Sequence, residues 1–120
     1  MKHENCHNEE YLDTKRVEAI DMAKSLIDGK TDLLTGVRSM LRLQYELCEE
    51  EDDYDFMIFS ELDSLTHHLP SSESRDKCSR NWLEKCDQEV EELVKEYLRV
   101  VKDACQAIVS RYEITHNKRH

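Results

Sequence analysis

Apolar residues recur at helical spacing along most of the chain. Leu12, Ala19, Ile20, Ala23, Leu26 and Ile27 fall largely on one stripe and Gly29 follows as a C-terminal stop, so the pattern predicts a first helix over residues 8–28. The link Gly29-Lys30-Thr31-Asp32 is tight, and Thr31 or Asp32 can cap the next helix. Its apolar positions Leu33, Leu34, Val37, Met40, Leu41, Leu47 and Cys48 repeat every three or four residues. So short a link makes the two helices antiparallel neighbours. Gly36 sits inside the second helix, where glycine costs about 1 kcal/mol relative to alanine. Close approach of another backbone is the expected compensation.

The run EEEDDYD, Glu49 to Asp55, interrupts the pattern. Acids are unfavourable at a helix C-terminus and favourable at an N-terminus, so one helix ends and another begins inside it. Phe56, Phe59, Leu62 and Leu65 follow at intervals of three, predicting a third helix that stops near His68, because Pro70 restricts Leu69 to extended geometry. PSSESRDKCS reads as a polar loop. A fourth helix begins near Ser79 or Asn81 and carries Leu83, Cys86, Val90, Leu93, Val94, Tyr97, Val101, Ala104, Cys105, Ile108 and Tyr112 along one face. At roughly 30 residues it would extend ~45 Å, longer than the others can flank, so it is either the spine of the bundle or an element protruding into a partner. The expected fold is all-α, an antiparallel bundle of about four helices with a long C-terminal helix. Residues 1–7 read as a flexible N-terminus, 8–113 as a single bundle domain and 114–120 as a flexible tail.

Composition agrees with this and narrows the function. Hydrophobic residues at 38% stand beside 37% charged residues and two glycines, a balance suited to amphipathic helices and unlike turn-rich sheets. The formal net charge of -10 argues against nucleic acid or an anionic membrane as ligand, since phosphate binders use Lys and Arg; a basic protein surface is the natural complement. No apolar run approaches the roughly 20 residues of a membrane span, and MKHENCHNEEY lacks the apolar centre of a secretion signal, which together lead to a cytoplasmic expectation. Five cysteines without a C-x-x-C pair suggest reduced thiols, with Cys48, Cys86 and Cys105 read as small apolar core residues.

Few residues offer chemistry. Adjacent helical residues point about 100° apart, so His67 and His68 cannot share an ion, and no H-E-x-x-H or paired C-x-x-C spacing is present. One ring is expected to face solvent and the other to cap the last carbonyls of the third helix. His3, Cys6 and His7 could capture a metal only adventitiously. Cys78 lies near Arg75, Lys77 and Arg80, a setting that could lower a thiol pKa but is also common on surfaces. There is no nucleophile elbow and no phosphate-cradling glycine loop. Carboxylate pairs such as Glu61 with Asp63, or Glu84 with Asp87, belong to solvated helix faces. Neither a catalytic residue nor a cofactor is expected. The acidic run, Glu49, Glu50, Glu51, Asp52, Asp53 and Asp55, is the main candidate for partner binding. Its mutual repulsion requires an offsetting gain elsewhere, and it equally suits a solvated loop that caps the third helix.

GKTDLLTGVRSML, FMIFSELDSLTHHLP with Arg75 following, LEKCDQEV and YLRVVKDACQAIV together resemble a family of short bacterial helical proteins with no assigned activity. The similarity spans about Ala23 to Val109, and its most specific part is Asp63, Ser64, His68, Leu69, Pro70 and Arg75. Leu65 and His67 depart from that pattern, which usually places acids there. Some members look like immunity proteins encoded beside toxins of contact-dependent inhibition systems. The resemblance implies an immunity protein, and together with the acidic run it leads to the expectation of a non-catalytic cytoplasmic protein that neutralises a cognate toxin domain, basic and nuclease-type in keeping with the run's charge. Asp63 with His68 or Arg75 reads first as a structural polar set, a carboxylate beneath the loop accepting from the arginine and fixing the loop's path; the alternative function is a small regulatory protein or enzyme with a polar site around Asp63, His68 and Arg75. A third reading is homodimerisation through the long fourth helix.

Overall fold

Asn8 starts the first helix, its Oδ1 accepting from the Tyr11 amide at 3.1 Å, and α1 runs Glu9–Ile27. Asp32 caps α2, Leu33–Glu46, in the same way through the Thr35 amide. A 3-10 turn, Tyr54–Phe56, leads into α3, Met57–Leu65; a second, Arg75–Lys77, precedes α4, Arg80–Arg119. These elements come from a computed structural model that describes residues 4–69 and 74–119, with side chains through Asn117. His3, Pro70 and the first residues of the polar loop lie outside that range.

The architecture is the expected all-α antiparallel bundle with a long C-terminal helix. α1 and α2 form a hairpin fastened by Lys15, which bonds Glu18 within α1 and Glu46 across the hairpin at 2.8 Å each. Those two bonds hold the Lys15 ammonium charged well above its ordinary range. Met40, Leu43, Phe56, Phe59 and Leu62 fill the centre against Val101, Cys105 and Ile108 of α4. α4 packs chiefly on α1 through its C-terminal half. At ~1.5 Å per residue its 40 residues far outrun the 19 of α1. In the stretch 80–100 Cys86 alone is buried, so the N-terminal half of α4 carries a partly uncovered apolar stripe.

Both α1 and α2 end in one left-handed residue. Gly29 (φ 73°) follows α1, with the Lys30 amide donating to the Ser25 carbonyl; Cys48 (φ 60°) follows α2, with the Glu49 amide donating to the Gln44 carbonyl. At Cys48, a residue with a Cβ, the left-handed conformation costs roughly 1–2 kcal/mol.

The structure departs from expectation at four places. Cys48 is not a reduced core thiol: it is disulfide-bonded to Cys6, which sits in a short N-terminal 3-10 turn, Glu4–His7. The polar segment 114–119, expected as a tail, continues α4. His116 Nδ1 there lies 3.0 Å from the Asp13 carboxylate, and Glu113 one turn earlier pairs with Lys24 at 3.2 Å. The third helix ends without histidine capping. Thr66, 1% exposed, caps it by donating its hydroxyl to the Leu62 carbonyl at 2.8 Å, while His68 reaches α4.

Gly36 is the fourth. What stands nearest it is the Leu26 side chain of α1 and not a backbone: a Cβ there would collide with Leu26 Cδ2 and stand 2.7 Å from its Cγ. Leu26 is itself buried and has little room to turn. Gly36→Ala should therefore lower stability by about 1 kcal/mol, because an overpacking cost of about 1–3 kcal/mol exceeds the ~1 kcal/mol gain in helix propensity. A urea midpoint at or above that of the parent would contradict this.

Candidate functional site

The acidic run is shaped by backbone chemistry before any partner is considered. Cys48 turns the chain off α2, and Gln44 Nε2 donates to the Glu50 carbonyl at 2.7 Å, drawing the loop back over the helix end. Asp53 Oδ1 accepts from the Asp55 amide and begins the turn whose last residue, the fully buried Phe56, anchors it in the core.

Arg111 of α4 enters this loop from 56 to 62 residues away. It holds Asp53 with both ends of the guanidinium, Nη1 to Oδ1 at 3.0 Å and Nη2 to Oδ2 at 2.9 Å. Nη2 also donates to Glu49 Oε2 at 2.6 Å and Nη1 to Asp55 Oδ2 at 3.2 Å. The Tyr112 hydroxyl donates to the other Glu49 oxygen at 2.9 Å. Planar, bidentate geometry is what makes arginine suited to this role. The Arg111 hydrogen bonds outweigh burial and hold the Asp53 carboxyl below its ordinary range; the same bonds raise Arg111. Burial, reinforced by the Glu49 charge, raises the Tyr112 phenol.

The clamp thus divides the six acids. Glu49, Asp53 and Asp55 are internal ligands of Arg111, while Glu50, Glu51 and Asp52 lie exposed. Exposed Tyr45 and the Glu49–Asp52 stretch border an open depression of about 740 Å³. The gain required to offset repulsion in the run is Arg111, a residue that sequence reasoning did not single out. Its only local signal is a cation beside core-facing Tyr112.

The polar set does not converge. His68 Nε2 meets Glu89 at 2.7 Å, and Arg75 meets Asp87 through two contacts of 3.1 and 3.2 Å, both partners lying on α4. Asp63 takes part in neither; its carbonyl accepts from Thr66. His67 is exposed. These pairs fasten the chain after α3 to the uncovered half of α4.

Cys78 Sγ stands 3.5 Å from the Ser74 carbonyl, and burial pushes the Cys105 thiol up to about 12, a setting that suppresses thiolate chemistry. Cys6 has spent its sulfur on Cys48. Among the described residues no three His, Cys, Asp or Glu side chains are grouped to hold a metal ion, and no helix is long and apolar enough to cross a membrane. No protein-family model, curated protein or solved structure matches the chain.

Proposed function

We propose that the chain is a non-catalytic binding protein, an immunity protein that neutralises a toxin domain with a basic, nuclease-type surface. The observation that carries the reading is the Arg111 clamp. It uses three acids to fix the loop and leaves Glu50, Glu51 and Asp52 exposed on a preorganised frame beside Tyr45 and an open depression. Fixed acids cost less ordering on association and raise encounter rates with a cationic partner. The net charge of -10 adds to the same field. The immunity class itself comes from the resemblance around Asp63, His68 and Arg75.

A cytoplasmic address belongs to this proposal, and the Cys6–Cys48 bond constrains it, since such bonds persist in oxidising compartments and are reduced in most cytosols. Differential alkylation of the protein from its native cells distinguishes the two states.

Titration against the product of the neighbouring gene, at two salt concentrations, tests the binding reading. The combined Glu50→Lys, Glu51→Lys and Asp52→Lys variant should bind about tenfold or more weakly, roughly 1.4 kcal/mol, with a flattened salt dependence. Asp53 is left intact, because reversing it would break the clamp and mix folding with binding. Affinity that survives the triple reversal would remove the acidic run from the mechanism.

A further inference from the structure

A second concavity, of about 530 Å³, lies between the Tyr54–Phe56 turn, the start of α3 and the stretch 100–107 of α4. Three large side chains around it are left in water: Tyr54 at 86% exposure, Met57 at 52% and Val100 at 49%. Three of the exposed large hydrophobic side chains of the described residues thus gather at one concavity. Ala104 and Ala107 border the same groove and leave room for close approach of another main chain.

The spacing on α4 describes the shape of the missing element. Val90, Leu93, Tyr97, Val100, Ala104 and Ala107 advance in alternating steps of three and four, the repeat of a helix-pairing seam. The core-facing residues Val101, Cys105, Ile108 and Tyr112 form the adjoining stripe, and Tyr97 and Ala104 of the seam are themselves packed against the core. α4 therefore has one apolar stripe for the bundle, and its flank at Val100 and Ala107 is covered by no helix of the described chain.

Charge selects the occupant. The charged residues lining the groove are Asp55, Glu61 and Asp103, with no Lys or Arg among them. Asp55 is engaged by Arg111, so Glu61 and Asp103 set the sign. Two-fold pairing with a second copy would place this acid-rimmed patch against itself, which like charges disfavour. We propose that the groove receives an amphipathic helix with basic flanks from a partner protein. This rests on the binding reading above and deepens it: the acidic loop steers the partner and the groove holds one of its helices.

The probe is a fluorescein-labelled synthetic helix of about 18 residues, with leucines at i, i+3, i+4 and i+7 and lysines on both flanks. A counterpart carries glutamates in place of the lysines. Fluorescence anisotropy with the full chain should show the lysine peptide binding at least about tenfold tighter than the glutamate peptide. The neutral double variant Met57→Gln/Val100→Gln should weaken the lysine peptide by about tenfold or more. Both substituted residues are half exposed, so folding should persist, and Val100→Gln alone provides a check if the double variant melts early. The triple charge reversal at Glu50, Glu51 and Asp52 should leave peptide affinity within roughly threefold.

Equal affinity for the two peptides, failure of both to bind, or indifference to Met57→Gln/Val100→Gln would overturn the inference. Peptide binding lost only in the triple reversal would also overturn it while leaving the acidic-loop reading standing. Sedimentation showing a dimer that Val100→Gln converts to monomer would assign the groove to a second copy instead. Conversely, peptide binding that follows the groove while the neighbouring gene's product ignores the triple reversal would retain the groove and remove the acidic loop.

Discussion

Arg111→Met is expected to lower stability by about 3 kcal/mol at neutral pH. An exposed ion pair is worth roughly 0–1 kcal/mol and removing one partner of a buried pair costs about 3–5 kcal/mol. Arg111, with 33% of its side chain exposed, lies between these limits but serves three carboxylates at once. Its loss leaves Glu49, Asp53 and Asp55 crowded without a counter-charge. The cost should also depend on pH with a definite sign. An unfolded aspartate titrates near about 3.9, whereas the Arg111 hydrogen bonds hold Asp53 lower in the fold. That stabilisation is fully present above roughly pH 5 and is lost as pH falls through the folded value. Urea melts should therefore show parent and Arg111→Met converging below about pH 4. Asp53→Asn in the Arg111→Met background should recover part of the loss, because it removes a charge that no longer has a partner. A constant gap between parent and Arg111→Met from pH 7 to pH 3 would show that packing of the arginine stem, and not the clamp, carries the effect.

Reduction of the Cys6–Cys48 bond should cost about as much or more. The bridge closes a sequence separation of 42, for which the chain-entropy account gives about 4 kcal/mol at 25 °C. The closed loop contains all of α1 and α2, so the constraint acts on the hairpin that supports the acidic loop. Urea denaturation with and without a phosphine reductant measures the loss, and a midpoint unchanged by reduction would contradict it. Substitution at Cys48 refines the result. Cys48→Gly should be less harmful than Cys48→Ser by about 1 kcal/mol, because serine keeps the Cβ that the left-handed backbone disfavours. Equal losses would show that the backbone at this turn relaxes once the bridge is gone.

What could be read from the sequence was what has a local period. The apolar stripes placed α1, α2 and α3 within a few residues, and Gly29 and Asp32 ended and began helices where their chemistry allowed. The position of the acidic run followed from the helix dipole, but its organisation did not. Arg111 meets it across 56 to 62 residues, and such a contact leaves no mark in either neighbourhood. Thr66 carries no motif of its own beside two histidines and a proline, yet its short hydroxyl reaches back to the helix carbonyls more readily than an imidazole. The cysteine count was odd, which concealed one pair among three free thiols. The clue lay in Cys48 itself, set just past the end of α2 where a left-handed residue is wanted. The polarity of segment 114–119 suits a tail, and nothing local in it marks a helix. A helix already nucleated over 30 residues extends at little cost, and neither glycine nor proline intervenes to stop it.

The clamp also has a historical consequence. Asp53 and Arg111 satisfy each other, so drift at either position should be tolerated mainly when the other changes with it. In a lineage that has exchanged the acids of the loop for neutral residues, the arginine should be gone as well, whatever has happened to the exposed residues between them. Paired gain and loss at these two distant positions would trace descent of this scaffold even where the surface used for recognition has been rewritten.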